Sequence, residues 1–272
     1  MEQEMITSVH NPQIKRLHQL LNRKGREASG TFLVEGVHLV EEALRSGAAV
    51  KTVIYDMDRG IDPACEAALR VYDRPLKRIA VTEQVLSKLS ETKSPQGIVA
   101  EVSQHSVDWQ AWKQKFEQAG SAFVVLMLDE LQDPGNLGTI IRTAEAAGID
   151  GIVVGENSVD LYNGKVLRAT MGAIFRLPLF RLPLQAACEE LSAMGTRLLV
   201  TSVHDGSVAY DEPVYDGRIA IVIGNEGRGV SPEISRLATT HVHIPLYGAA
   251  ESLNAAVACG IMLYEARRQR KE

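Results

Sequence analysis

Three stretches of this chain carry side chains with chemistry to offer. The first is DPGNLGTIIRTAEAAG, residues 133–148. Pro134-Gly135 reads as a turn, Asn136 as the N-cap of a helix and Gly148 as its stop. Gly138, Arg142 and Glu145 then share one face, and a long helical side chain leans toward the N-terminus, which lays Arg142 over Gly138. With no Cβ at 138 that spot is open to a substrate. The plainer reading is a surface Arg142–Glu145 pair, worth about a few tenths of a kcal/mol. The second stretch, GNEGRG at 224–229, sets Asn225 and Glu226 among Gly224, Gly227 and Gly229. Its glycines fit neither G-x-G-x-x-G nor a P-loop, and Glu226 would repel a phosphate. Amide donors beside an acid suit a neutral or positive ligand bearing hydroxyls and an amine; the alternative is a polar turn between strand and helix. In the third, HIPLYGAAESLNAAVACGIMLYEARRQR, Ser252 is placed to cap a long helix running to about Arg268, with Asn254 in its first turn beside free backbone N–H groups. Taken alone, either residue is more commonly an ordinary cap.

The elements that must position these loops are legible in the hydrophobic pattern. FVVLMLDEL (123–131), GIVVG (151–155), RLLVTSV (197–203), RIAIVIG (218–224) and HVHIPL (241–246) are apolar, β-branched runs separated by helical stretches. They predict a parallel sheet covered on both faces, whose ligands bind beyond the carboxyl ends of the strands. The three loops follow such ends. Upstream, TFLVEG (31–36), VKTVIYD (50–56) and GIVAEV (97–102) alternate with helical segments and predict a small α/β domain. The stretch 103–122 reads as a polar, helix-capable connector. The resulting division is 1–105, connector 106–120, and 121–272.

Composition narrows the function classes. The chain has 272 residues, 45 % hydrophobic and 23 % charged, which is ordinary for a globular protein that buries its own core. Its three cysteines, Cys65, Cys188 and Cys259, show neither zinc spacing nor a disulfide framework, and no His/Cys/Asp cluster asks for a metal. The start MEQEMITSVH is too polar for a secretion signal, and no apolar run approaches a membrane span. A cytoplasmic protein is expected. Net charge is −5, yet between Met5 and Arg26 lie Lys15, Arg16, Arg23, Lys24 and Arg26 without one acid. Such a run contacts phosphates, or is simply a solvated face.

Taken together and in this order, NLGTIIRTA, IGNEGRG and IPLYGAAESLNAAVA resemble the three signature motifs of the SpoU (TrmH-like) family of RNA 2′-O-ribose methyltransferases. ATMGAIFRLPL (169–179) resembles a further recurrent stretch of that family, and FLVEGVHLVEEAL with SPQGIVA is similar to its L30e-like substrate-binding domain. The resemblance implies an α/β methyltransferase domain with a deep trefoil knot, a homodimer, and S-adenosylmethionine as cofactor. It implies cofactor contacts from Thr201, Ser202, Ile223, Gly224, Asn225, Gly227, Ile244, Leu246, Ser252 and Leu253, and a polar active site of Asn136, Arg142, Glu226, Ser252 and Asn254. RNA contacts are expected from Lys15, Arg16, Arg23, Lys24, Arg26, Arg142 and Arg168. The chain departs modestly from the pattern: Ala256 stands where relatives often carry a small polar residue, and Gly164 follows Asn163 where proline is common.

The implied reaction moves a sulfonium methyl to a ribose 2′-oxygen. It requires in-line positioning and stabilisation of the charge developing on that oxygen. A guanidinium stays protonated, so Arg142 suits a phosphate clamp and alkoxide stabiliser better than a general base. The implied substrate is 23S ribosomal RNA; transfer RNA, and a catalytically inactive RNA-binding relative, are the alternatives. A nicotinamide oxidoreductase is disfavoured by the absence of a strand–GxGxxG–helix.

Overall fold

The computed structural model describes residues 3–92, 94–104, 107–202 and 206–270. Two compact units make up the chain: Met1–His105 with Asp160–Arg176, and Ser106–Val159 with Leu177–Glu272. The segment 160–176, which the sequence places inside the stretch 121–272, thus belongs to the first unit.

The first unit runs β1 (Gln3–Ile6), α1 (Pro12–Gln19), α2 (Arg23–Ser29), β2 (Thr31–Glu35), α3 (Val37–Arg45), β3 (Val50–Asp56), α4 (Pro63–Val71), β4 (Lys77–Val81), α5 (Glu83–Ser87) and β5 (Ile98–Ser103). Its sheet has the order β1-β4-β3-β5-β2, parallel from β1 to β3 and antiparallel on both sides of β5. Asn11 caps α1, accepting from the Gln13 N–H at 2.8 Å, with Pro12 in the first turn where a missing N–H costs nothing. The helix then buries Ile14 and Leu17 in a core with Ile54, Ile79 and Val99.

The basic run divides on this scaffold. Arg16 lies across the sheet and makes a two-point bond to Glu101 of β5, at 2.7 and 2.8 Å. The Glu101 side chain is 2 % exposed and also accepts from the Thr31 and Thr52 hydroxyls. Burial alone would push its carboxyl up, but the Arg16 hydrogen bond and charge, with the two hydroxyls, hold it below the usual carboxylate range. Arg26 is buried: Nη1 donates to the Leu20 and Leu21 carbonyls, and Nη2 to Asp160 at 2.5 Å. The expectation that Arg26 contacts RNA is therefore corrected, because its donors are engaged inside the unit and freeing them would strand Asp160. Arg23 pairs with Glu27 one turn on, while Lys15 and Lys24 are exposed. On α8 (Gly164–Thr170), Arg168 lies 3.5 Å from Glu91.

The second unit comprises α6 (Trp109–Ala119), β6 (Phe123–Leu128), α7 (Pro134–Ala146), β7 (Gly151–Gly155), β8 (Leu179–Leu182), α9 (Leu184–Ala193), β9 (Arg197–Thr201), β10 (Val208–Ala209), β11 (Arg218–Ile223), α10 (Pro232–Ser235), β12 (Thr240–His243) and α11 (Ala255–Gln269). Its sheet, ordered β10-β12-β9-β11-β6-β7-β8, is parallel at every described pairing. Leu128 of β6 pairs with Ile223 of β11, and Val242 of β12 with Thr201 of β9. Parallel register brings these ends to one edge, which is why three loops far apart in sequence meet. The stretch read as a polar connector is α6, and it is amphipathic rather than polar. Trp109, Trp112 and Phe116 are buried with Phe123 and Phe180 in this unit's core.

Candidate active site at the carboxyl edge of the parallel sheet

The loop after β6 turns directly into α7. The N-cap is Asp133, whose carboxylate accepts from the Asn136 N–H at 2.8 Å, with Pro134 in the first turn. Asn136 is therefore not the cap, and Pro134-Gly135 is helix rather than a separate turn, since proline's fixed φ suits that first turn. This leaves the Asn136 side chain free for tertiary bonds. Its Nδ2 donates to Glu226 at 3.1 Å, and its Oδ1 accepts from Asn254 Nδ2 at 2.9 Å.

Glu226 is the hub. Its two oxygens accept from the Gln132 N–H at 3.1 Å and the Asp133 N–H at 2.9 Å. Burial would raise this carboxyl, but the bonds from Asp133, Asn136 and Gln132 outweigh it and hold the group below the usual range. It is ionised at neutral pH. Asn254, not Ser252, caps α11: its Oδ1 accepts from the Ala256 and Val257 N–H groups at 2.9 and 3.3 Å. One continuous chain, Glu226–Asn136–Asn254, thus ties together all three loops. Arg142 stands on α7, exposed and outside that chain.

The 224–229 loop is closed on itself. Asn225 and Gly229 exchange backbone hydrogen bonds, both 2.9 Å. A Cβ on Gly224 would lie 2.2 Å from the carbonyl carbon of Gly229 and from the nitrogen of Val230, and Gly229 has φ +71°. These glycines let the two ends of this short loop approach each other closely. Asn225 Oδ1 accepts from the Gly227 and Arg228 N–H groups at 3.0 and 3.1 Å.

Beside this network a cavity of about 220 Å³ opens where β9 and β12 end. Thr201, Ser202, Ile244, Leu246, Ser252 and Leu253, all among the expected cofactor contacts, line it together with five residues absent from that expectation: Gly229, Val242, His243, Glu251 and Ala258. Ile223, Gly224, Asn225 and Gly227 do not line it, because the polar groups of Asn225 and Gly227 are committed to closing their own loop and Ile223 is buried at the end of β11. His243 was legible only as a strand residue alternating with His241; its Nδ1 lies 2.9 Å from the Ser207 hydroxyl. Among the described residues there is no group of three or more His, Cys, Asp or Glu side chains arranged to hold a metal, and no helix is long and apolar enough to cross a membrane.

Each unit matches a known family. Residues 123–264 match the SpoU rRNA Methylase family, and residues 11–100 match the MRM3-like substrate binding domain. Among curated relatives, the 23S rRNA (guanosine(2553)-2′-O)-methyltransferase RlmP of Bacillus subtilis (strain 168) is 37 % identical over 97 % of this chain and 99 % of its own. Among solved structures, an AdoMet-bound rRNA methyltransferase from Sinorhizobium meliloti superposes with a TM-score of 0.86 at 33 % identity, covering 99 % of each chain. The SpoU methyltransferase AviRb from Streptomyces viridochromogenes, in complex with AdoMet, gives 0.84 at 32 % over 96 % of this chain and 98 % of that one. The fold and the three-loop site define an α/β RNA methyltransferase of the SPOUT type. The chain belongs to the SpoU rRNA methylase family.

Proposed function

We propose that this protein transfers a methyl group from S-adenosylmethionine to a ribose 2′-hydroxyl of 23S ribosomal RNA in the cytoplasm. The observation that carries the reading is the Glu226–Asn136–Asn254 chain, which ties three loops together, two of which line one cavity through Gly229 and through Glu251, Ser252 and Leu253. The cavity fits the cofactor's chemistry. Val242, Ile244, Leu246 and Leu253 offer apolar walls, Thr201, Ser202 and Ser252 offer hydroxyls, and Glu251 offers a carboxylate to a cationic ligand. When bound there, S-adenosylmethionine supplies an electrophilic methyl. Glu226 holds the N-terminus of α7 and Asn136 in place, and Asn254 locks α11 to them. Arg142, on the exposed face of α7, binds the phosphate flanking the target ribose and stabilises charge developing on its 2′-oxygen. Lys15, Arg23, Lys24 and Arg168 serve as sequence-independent phosphate contacts.

Calorimetry with S-adenosylmethionine, followed by mapping of 2′-O-methyl sites in ribosomal and transfer RNA with and without the gene, tests this reading. Binding, plus one 23S site lost on deletion, is the expected result. A site lost only from transfer RNA would move the substrate, and no lost site would refute the activity.

The same reading includes a homodimer. On α11, Val257 is 52 % exposed and Tyr264 55 %, and at i and i+7 they share a face with Gly260 between them. A second copy of this chain covers that stripe. Sedimentation is expected to give a dimer at micromolar concentration, and Val257→Glu with Tyr264→Glu a monomer; a wild-type monomer would end the proposal.

A further inference from the structure

We infer that Glu130 is a positioning residue, gripping both sides of the loop tip that carries Glu226 and so setting the start of α7. Its backbone has φ +52°, in the left-handed region. Apart from Met171 in the first unit, it is the non-glycine residue with positive φ among the described residues. A side chain there costs about 1 kcal/mol or more, which glycine would not incur. An acid in such a conformation points to something its side chain and its turned carbonyl do.

Both groups face the 224–229 loop. The carbonyl of Glu130 accepts from Asn225 Nδ2 at 2.9 Å, and its carboxylate accepts from Arg228 Nη2 at 2.8 Å. Asn225 and Arg228 flank Glu226 on either side. Glu226 in turn accepts from the N–H groups of Gln132 and Asp133, just downstream of Glu130, so the two loops close into a ring. Gln132 tightens it, its Nε2 donating to the Glu130 and Asn157 carbonyls at 2.9 and 2.8 Å. The Glu130–Arg228 pair lies at the surface, with Arg228 74 % exposed, and exposed pairs add little to stability. Its contribution is to geometry: small misplacements of a reacting group cost far more in rate than in folding. The activity arm of this inference rests on the methyltransferase reading; the loop arm does not.

The test uses the full-length protein with Glu130→Gly, Arg228→Ala, the double variant and Arg228→Lys. Glu130→Gly is expected to unfold at the wild-type temperature or above it, because backbone strain is relieved. Its amide exchange at Gly227, Arg228 and Gly229 should quicken about tenfold, and kcat should fall about tenfold with RNA KM and cofactor Kd within about twofold. The double variant should be no worse than Glu130→Gly, since the two side chains act as one unit, and Arg228→Lys should recover at least about half of kcat. Unchanged exchange with wild-type kcat overturns the inference. So does a Glu130→Gly protein that loses stability together with activity, which would mark a merely structural residue. If the wild-type protein transfers no methyl group, the proposed function fails, and amide exchange alone decides the role of Glu130.

Discussion

Arg142→Ala is expected to lower methyl transfer by about 10²–10³-fold while changing S-adenosylmethionine affinity by less than about twofold. The separation is geometric. Arg142 stands exposed on α7, whereas the cavity is walled by the ends of β9 and β12 and by the residues preceding α11. Arg142 is also outside the Glu226–Asn136–Asn254 chain, so truncating it leaves the loops tied and fold stability nearly unchanged. Arg142→Lys keeps the charge but loses the planar fork, and is expected to remain severely impaired where two-point phosphate binding is required. A target nucleotide lacking its 2′-hydroxyl should still bind, because phosphate contacts supply most affinity, and should not be methylated. Single-turnover rates beside calorimetric cofactor titrations check this. Near-normal turnover in Arg142→Ala, or methylation of the deoxy substrate, would refute the assigned role.

The strands were the most legible part of the sequence. VKTVIYD and GIVVG coincide with β3 and β7, since apolar β-branched runs between turn residues have few other stable outcomes. Caps were harder. Asp133 and Asn136 are both good N-caps three residues apart, and only Pro134, whose fixed φ favours the first turn, pointed to Asp133. Between Ser252 and Asn254, what decides is tertiary: the Asn254 amide reaches the helix amides and Asn136, which lies 118 positions away. The motifs named Asn136, Glu226 and Asn254 as one set, and the structure brings those three together, but their bonding was not legible, for Glu226 also serves the amides of Gln132 and Asp133. The pairing within the basic run was illegible for the same reason. Arg16 and Arg26 look like Lys15 and Lys24 in sequence, and their carboxylate partners lie 85 and 134 residues downstream.

Glu101 makes Arg16→Ala a substitution with a large expected effect on stability, about 2–4 kcal/mol, because it leaves that carboxylate buried with only two threonine hydroxyls. The sign of its pH dependence follows from the carboxyl. In the wild type Glu101 is held below its ordinary value, so its contribution is present above the unfolded value of about 4.3 and is lost as pH falls through the folded one. Without Arg16, burial dominates and Glu101 protonates at higher pH. The gap between wild type and Arg16→Ala should therefore be widest near neutrality and narrow on acidification. Arg16→Met combined with Glu101→Leu should recover a good part of the loss, since no charge is then left unpaired. The chain's two tryptophans, Trp109 and Trp112, both lie in α6 of the second unit, so their fluorescence does not report this change directly. Amide exchange at Ile54 and Val99, beside the buried pair on the first sheet, does. Faster exchange there at neutral pH, with cofactor affinity unchanged, is the expected result, and wild-type exchange would show that Glu101 does not need Arg16. RNA binding should then be probed at Lys15 and Lys24, whose neutralisation flattens the salt dependence without unfolding the unit.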